Sequence, residues 1–96
     1  MLKMVVDACA ANTPVAAICH GPWVLCSARQ EAGAAPIIAG RRATSFVAIK
    51  DDVINAGATF VDEPVVVDGN LITSRTPNDL VPFVQQIIVH MSGALG

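Results

Sequence analysis

The chain has 96 residues, 53% of them hydrophobic and only 15% charged, with 6 Lys+Arg against 8 Asp+Glu for a net charge of −2. That is room for one small domain with one modest core; its mean hydropathy of +0.56 and a charged fraction below the roughly 25% usual for soluble domains imply apolar surface covered by another subunit or chain. With no basic stripe and only Trp23, Phe46, Phe60 and Phe83 as aromatics, the composition argues against nucleic-acid binding; no apolar run approaches the ~20 residues of a membrane span, and no basic-then-apolar secretory leader is read at the start.

Residues 2–11 read as a short helix, broken by Asn12-Thr13-Pro14. Val15 to Cys19 is a continuous apolar run, the pattern of a strand buried on both faces in a parallel sheet. It stops at a cysteine, and His20-Gly21-Pro22 leads into a helical stretch from Gly21 to Arg29. A buried strand that turns sharply into a helix lifts a thiol out of the sheet. The first free N–H groups of the helix then point at the same spot, where they lower a thiol pKa and can hold a developing oxyanion. Cys19 is therefore the candidate nucleophile. A helix N-terminus supplies about 0.3–1 kcal/mol and one pKa unit is worth about 1.4 kcal/mol. The turn alone thus shifts a thiol by less than one unit, and a larger shift needs a further partner. Trp23, at the start of this helix, suits a substrate pocket and the core equally well.

Residues 30–40 are rich in Ala and Gly and form a connection. Arg41 to Phe46 reads as a short strand, Ala48 to Ala56 as a helix ended by Gly57 at the C-cap position, and Thr59 to Val61 as a brief strand. Asp68-Gly69 between Val65-Val66-Val67 and Leu71-Ile72-Thr73-Ser74 is a hairpin signal. Thr76 is a natural N-cap, Pro77 suits the first helical position and Asp79 the helix N-terminus. Leu80, Phe83, Val84, Ile87, Ile88 and Met91 then follow a helical stripe, and Ser92 to Gly96 is expected to fray. This order predicts a layered α/β fold in a single domain over residues 1–96.

Cys9, Cys19 and Cys26 make no C-x-x-C, and the only nearby histidine is His20, so no metal site is read. An odd cysteine count without a secretion signal points to reduced, cytoplasmic thiols. Cys9 and Cys26 are assigned to core or interface and His90 to a structural or surface role. Asp51-Asp52 falls near a helix start, where acids favour the dipole, and is read as solvated or capping. Arg41-Arg42 is too short a basic run to argue for phosphate.

Ordered blocks of the sequence resemble a known family. Ala-Ile-Cys-His-Gly-Pro at residues 17–22, Thr44-Ser45, Ile49-Lys50-Asp51-Asp52-Val53-Ile54-Asn55-Ala56-Gly57-Ala58 and Val65 to Leu80 closely resemble the PfpI-type intracellular proteases. These belong to the superfamily of the Parkinsonism-associated deglycase and are similar in fold to class I glutamine amidotransferases. The resemblance runs over about residues 3–91. It implies a three-layer sandwich, with a flavodoxin-like, mostly parallel sheet, flanking helices and a β-hairpin, here only the family's C-terminal half. The absent half would carry the first strands and an acidic partner for the thiol, and a neighbouring subunit would offer a glutamate to the histidine. Two departures are Phe46-Val47, where the family has an aromatic and a proline, and a longer connection at residues 30–39.

By position, the resemblance makes Cys19 the nucleophile and His20 its base or orienting group, with backbone N–H groups near Gly21 as the oxyanion site. It implies thiolate attack on a carbonyl: an acyl-enzyme with peptides, or a hemithioacetal and then a hydroxy acid with reactive aldehydes such as methylglyoxal or their early protein adducts. It also implies oxidation sensing through a sulfinate, as in a stress response. No cofactor and no metal are implied. His90 lacks the His-x-Glu pattern of a class I amidotransferase triad. The alternative reading is a non-catalytic half that oligomerises or binds a complementary chain, because an open parallel edge and an apolar face invite association.

Overall fold

The structure, a computed structural model, describes residues 2–11, 13–31 and 33–95. Its elements in chain order are α1 (Leu2–Ala10), β1 (Val15–Ile18), α2 (Pro22–Ser27), β2 (Arg42–Ala43), a 3-10 turn (Val47–Ile49), α3 (Lys50–Asn55), β3 (Thr59–Phe60), β4 (Val65–Asp68), β5 (Leu71–Ser74), a second 3-10 turn (Pro77–Asp79) and α4 (Leu80–Leu95).

The strand β5 is the spine. All four of its residues are buried, because it has a partner on each side. β1 runs parallel to it, from Val15 opposite Leu71 to Ile18 opposite Ser74. β4 runs antiparallel, from Val65 opposite Ser74 to Asp68 opposite Leu71. A second, two-stranded parallel sheet pairs Arg42 with Thr59 and Ala43 with Phe60. The two sheets are joined through Thr73, whose Oγ1 accepts the Thr44 N–H at 2.9 Å. The core lies between sheet and helices, with Leu25 of α2, Val53 of α3, Ala43, Ala58 and Leu71 around Ile38. Leu25, Ile38, Val53 and Leu71 each contribute about 1.5–3 kcal/mol on burial. Ile38 shows that the Ala- and Gly-rich connection is pinned to the core and does not float above it. α1 packs on β1 and α2, α2 on α3, and α4 on β4 and β5.

The expected α/β class holds, as a mixed sheet with flanking helices. Several boundaries differ, for local reasons. β1 ends at Ile18, with Cys19 already in the turn, and it is an edge strand of its sheet with Ala16 exposed; the strand buried on both faces is β5. α2 is shorter than expected because Ala28 is already extended, with ψ 127°. The strand expected over residues 41–46 is paired only at Arg42–Ala43. The helix expected over 48–56 opens as a 3-10 turn at Val47. Gly57 closes it with φ +97°, as a C-terminal glycine should.

In the hairpin, the loop is Gly69-Asn70 rather than Asp68-Gly69, with Gly69 at φ +61° in the first central position. That is the type II′ arrangement, where glycine leads. Asp68 is freed for other work: its Oδ2 accepts the Arg42 N–H at 2.7 Å, and Arg41 donates to its carbonyl and, at 3.1 Å, to Asn70 Oδ1. The Arg41-Arg42 pair is a clasp on the hairpin end. Thr76 stands at the expected cap position, but its hydroxyl meets the Asp79 carboxylate at 3.5 Å and caps no backbone N–H. Along α4 only Phe83 of the predicted stripe is buried; Leu80, Val84, Ile88 and Met91 are exposed. The helix continues to Leu95 instead of fraying from Ser92, consistent with the high helix propensity of Ala and Leu; Gly96 lies outside the described residues.

Candidate functional site

The sequence around Cys19 leaves the backbone little choice. β1 is held against β5 up to Ile18, and Pro22 fixes the first residue of α2. Only Cys19, His20 and Gly21 are left to reverse from strand to helix. The strain falls on Cys19, whose φ is +62°; it is the one non-glycine residue in the left-handed region among the described residues. Such a conformation costs about 1–3 kcal/mol and persists only where its surroundings enforce it. The enforcing bonds are on both sides of the residue. The Cys19 N–H donates to the Ser74 carbonyl at 3.0 Å, and the Cys19 carbonyl accepts the Phe46 N–H at 2.8 Å. The nucleophile candidate is thus clamped between the ends of β5 and of the segment after β2.

Gly21 is required by space rather than by φ, which is −53°. A Cβ there would lie 3.0 Å from the Ile18 carbonyl oxygen, 3.1 Å from the Ile18 nitrogen and 3.3 Å from Ala17 Cβ. The close approach is sealed by the Gly21 N–H donating to the Ile18 carbonyl at 2.8 Å. That amide is therefore engaged, as is that of Cys19, and Pro22 has none. The His20 N–H is left as the amide of the turn with no acceptor among the described residues.

The His20 side chain returns to the thiol, with Nδ1 3.4 Å from Cys19 Sγ. Its ring sits between two aromatics, 5.0 Å from the Phe46 centroid and 6.1 Å from that of Trp23. Trp23 is 51% exposed, so it forms the rim of the site, not the core. Its Nε1 donates to Asp52 Oδ2 at 2.8 Å, which ties α2 to α3. Asp51 and Asp52 are both exposed, in line with the solvated reading, and Asp52 in addition ties the two helices.

Sequence reasoning brought Cys19, His20, Gly21 and Trp23 together, and the structure places them at one turn. It missed Phe46 and Asp52. Neither lies in the motif, and each reaches the site only through tertiary packing; the aromatic that the resemblance places after Thr44-Ser45 was the one available signal. His90 stays apart, with Nδ1 2.8 Å from the Gln86 carbonyl of its own helix.

The other two thiols differ. All three cysteines are free. Burial pushes the Cys9 thiol up, with Arg41 opposing, and pushes Cys26 up with help from the nearby Asp52 charge. Cys26 Sγ donates to the Pro22 carbonyl at 3.5 Å. Among the described residues no group of three His, Cys, Asp or Glu side chains could hold a metal ion, and no helix is long and apolar enough to cross a membrane.

Comparison with known proteins locates this arrangement. The model of the DJ-1/PfpI family matches residues 1–90. An uncharacterized protein of Archaeoglobus fulgidus is 49% identical over 87 residues, which is 91% of this chain and 48% of that one. The deglycase PfpI of Pyrococcus furiosus is 45% identical over 75 residues, 78% of this chain and 41% of its own. Among solved structures, an Anabaena variabilis two-domain protein with DJ-1/ThiJ/PfpI-like and ferritin-like domains superposes with a TM-score of 0.86 at 43% identity, covering 95% of this chain and 24% of that one. The chain spans less than half the length of the curated relatives it matches.

Proposed function

This chain belongs to the DJ-1/PfpI family, and on that premise we propose that it is a cysteine-dependent hydrolase or deglycase acting on carbonyl compounds. The carrying observation is the Cys19 turn, with φ +62° and His20 Nδ1 at 3.4 Å from the sulfur. The thiolate adds to the carbonyl carbon, and the carbonyl electrons move onto oxygen. The His20 N–H, beside Gly21, is the uncommitted donor for that oxyanion. His20 takes the thiol proton and returns it to the oxygen or the leaving group.

With a peptide, C–N cleavage gives an acyl-enzyme that water hydrolyses, the protease version of the reaction. With methylglyoxal, addition gives a hemithioacetal. Proton transfer from its C1 to C2 yields a thioester, and water releases lactate and the thiol. On free methylglyoxal this is a glyoxalase reaction; the same attack on early protein adducts of such aldehydes is the deglycase version, which the name of the Pyrococcus furiosus relative supports. Trp23 and Phe46 both lie close to the His20 ring. No cofactor enters either route. Three free thiols support a reducing, cytoplasmic setting.

The test is lactate formation from methylglyoxal by the purified chain. Turnover that disappears in Cys19→Ala supports the proposal; equal lactate from the two proteins refutes it.

A second reading rests on a separate observation. Val81 and Val89 of α4 are 67% and 60% exposed, and Leu80, Ile88 and Met91 of the same helix exceed half exposure. With β1 at a sheet edge, this supports a homo-oligomer or a complex with a complementary chain. Light scattering at micromolar concentration tests it, and a clean monomer counts against self-association.

A further inference from the structure

A cavity of about 760 Å³ opens near the strand ends; neither Cys19 nor His20 lines it, and Phe46 is the residue that links it to the Cys19 turn. Its walls are the residues at or after the ends of three strands: Phe46 beyond β2, Phe60 and Asp62 at the end of β3, and Arg75 and Thr76 beyond β5, with Lys50 of α3 completing it. Cys19 itself follows the end of β1. Ligands of open α/β sheets bind outside the carboxyl ends of the strands, so the cavity and the thiol occupy the same functional end. They also share a wall, since the Phe46 ring that lines the cavity packs 5.0 Å from the His20 ring.

The charges inside are unevenly committed. Arg75 holds both carboxylates: Nε and Nη2 lie 3.1 and 3.4 Å from the two oxygens of Asp79, and Nη1 lies 3.0 Å from Asp62. Lys50 has no carboxylate within ion-pair distance among the described residues; its Nζ rests 5.5 Å from the centroid of the Phe60 ring. The cavity thus holds two cations and two carboxylates among the described residues, and Lys50, beside Phe60, is the one cation among them with no carboxylate within ion-pair distance. A cation over an aromatic face is weakly held, by about 0.5–1 kcal/mol at exposed sites, and stays available to an anion.

We infer that this cavity is the subsite for the non-reacting end of the substrate, and that it takes a carboxylate carried on an apolar body, with Lys50 on the carboxylate and Phe46 and Phe60 on the body. The inference rests on the proposed reaction at Cys19 and narrows its carbonyl substrates to those bearing a carboxylate.

The test compares 3-phenylpropionate with its neutral amide, 3-phenylpropionamide. Each is titrated as a protectant of Cys19 against iodoacetamide, and its binding is read directly by ligand-observed NMR. The carboxylate is expected to bind about threefold to fivefold tighter than the amide, the size of a half-exposed ion pair, and to protect Cys19 saturably. Lys50→Gln should erase the preference, and Lys50→Arg should restore it. Equal binding of the two probes, binding of neither, a preference that survives Lys50→Gln, or binding that leaves Cys19 unprotected would each overturn the inference. Failure of the Cys19 chemistry itself would show separately, as slow labelling with no probe present, while NMR still reads the cavity.

Discussion

Cys19 and Cys26 are carried by the same short stretch of chain, yet the two thiols face opposite circumstances. Cys19 sits on a left-handed backbone with Nδ1 of His20 beside its sulfur. Cys26 lies on an ordinary helix, its sulfur bonded back to the Pro22 carbonyl and its ionisation disfavoured by burial and by Asp52. Composition treats them alike; what separates them is the backbone that presents the thiol. A cysteine on a helix face can be protected by packing. Cys19 and Cys26 are both partly buried, so what separates them is backbone conformation and neighbours rather than exposure.

The most severe way to break this contrast is Gly21→Ala. The added Cβ would meet the backbone of Ile18 at 3.0 Å, so the turn must give by a few tenths of an ångström. A loss of about 1–3 kcal/mol is expected in denaturant unfolding, with Cys19 labelling falling toward that of Cys26. Thr44→Val acts next, in the opposite direction. The Thr44 hydroxyl is buried with no hydrogen-bond partner, an arrangement that costs about 1–3 kcal/mol. Valine should stabilise the chain by about 1 kcal/mol at most and leave the ratio of Cys19 to Cys26 labelling unchanged. A drop in that ratio would give the hydroxyl a role at the site.

Asp52→Asn sharpens the contrast from the other side. It removes a negative charge that helps hold the Cys26 thiol up, so Cys26 should label modestly faster. An amide oxygen can still accept the indole N–H, so the stability change should be within about 0.5 kcal/mol. The smallest effect is expected at Asp79, beyond the β5 end that supports Cys19. Hydrogen bonds from Arg75 hold its carboxyl below the usual carboxylate range. A depressed folded pKa contributes stability that is present above the unfolded value near ~3.9 and is lost as pH falls through the folded value. Thermal melts of Asp79→Asn should therefore run slightly below those of the parent chain at neutral pH, and the gap should close as pH drops below about 4.

The fold was legible wherever one residue settles the local backbone. Pro22 begins α2, Gly57 ends α3, and Gly69 places the hairpin loop, one residue later than the Asp-Gly signal suggested. The strand-to-helix turn at Cys19 was legible because strand, cysteine and Gly-Pro follow one another in sequence. The parts that were not legible depend on distant partners. Arg42–Ala43 pairs only because Thr59–Phe60 lies beside it. Asp52 reads as a helix-start acid until the Trp23 indole is placed against it. Gly21 carries no signal of its steric role, since only the approach of Ile18 creates it. Lys50 is exposed, and its place on the cavity wall beside Phe60 depends on strand ends distant in sequence.

The most direct measurement is the rate of iodoacetamide labelling at each of the three cysteines near neutral pH, resolved by peptide mass spectrometry on the whole chain. Cys19 is expected to label at least about tenfold faster than Cys9 and Cys26, whose thiolates are disfavoured by burial. If the three label at equal rates, or if Cys19 is the slowest, the turn is a structural feature only and the proposed chemistry at Cys19 is wrong.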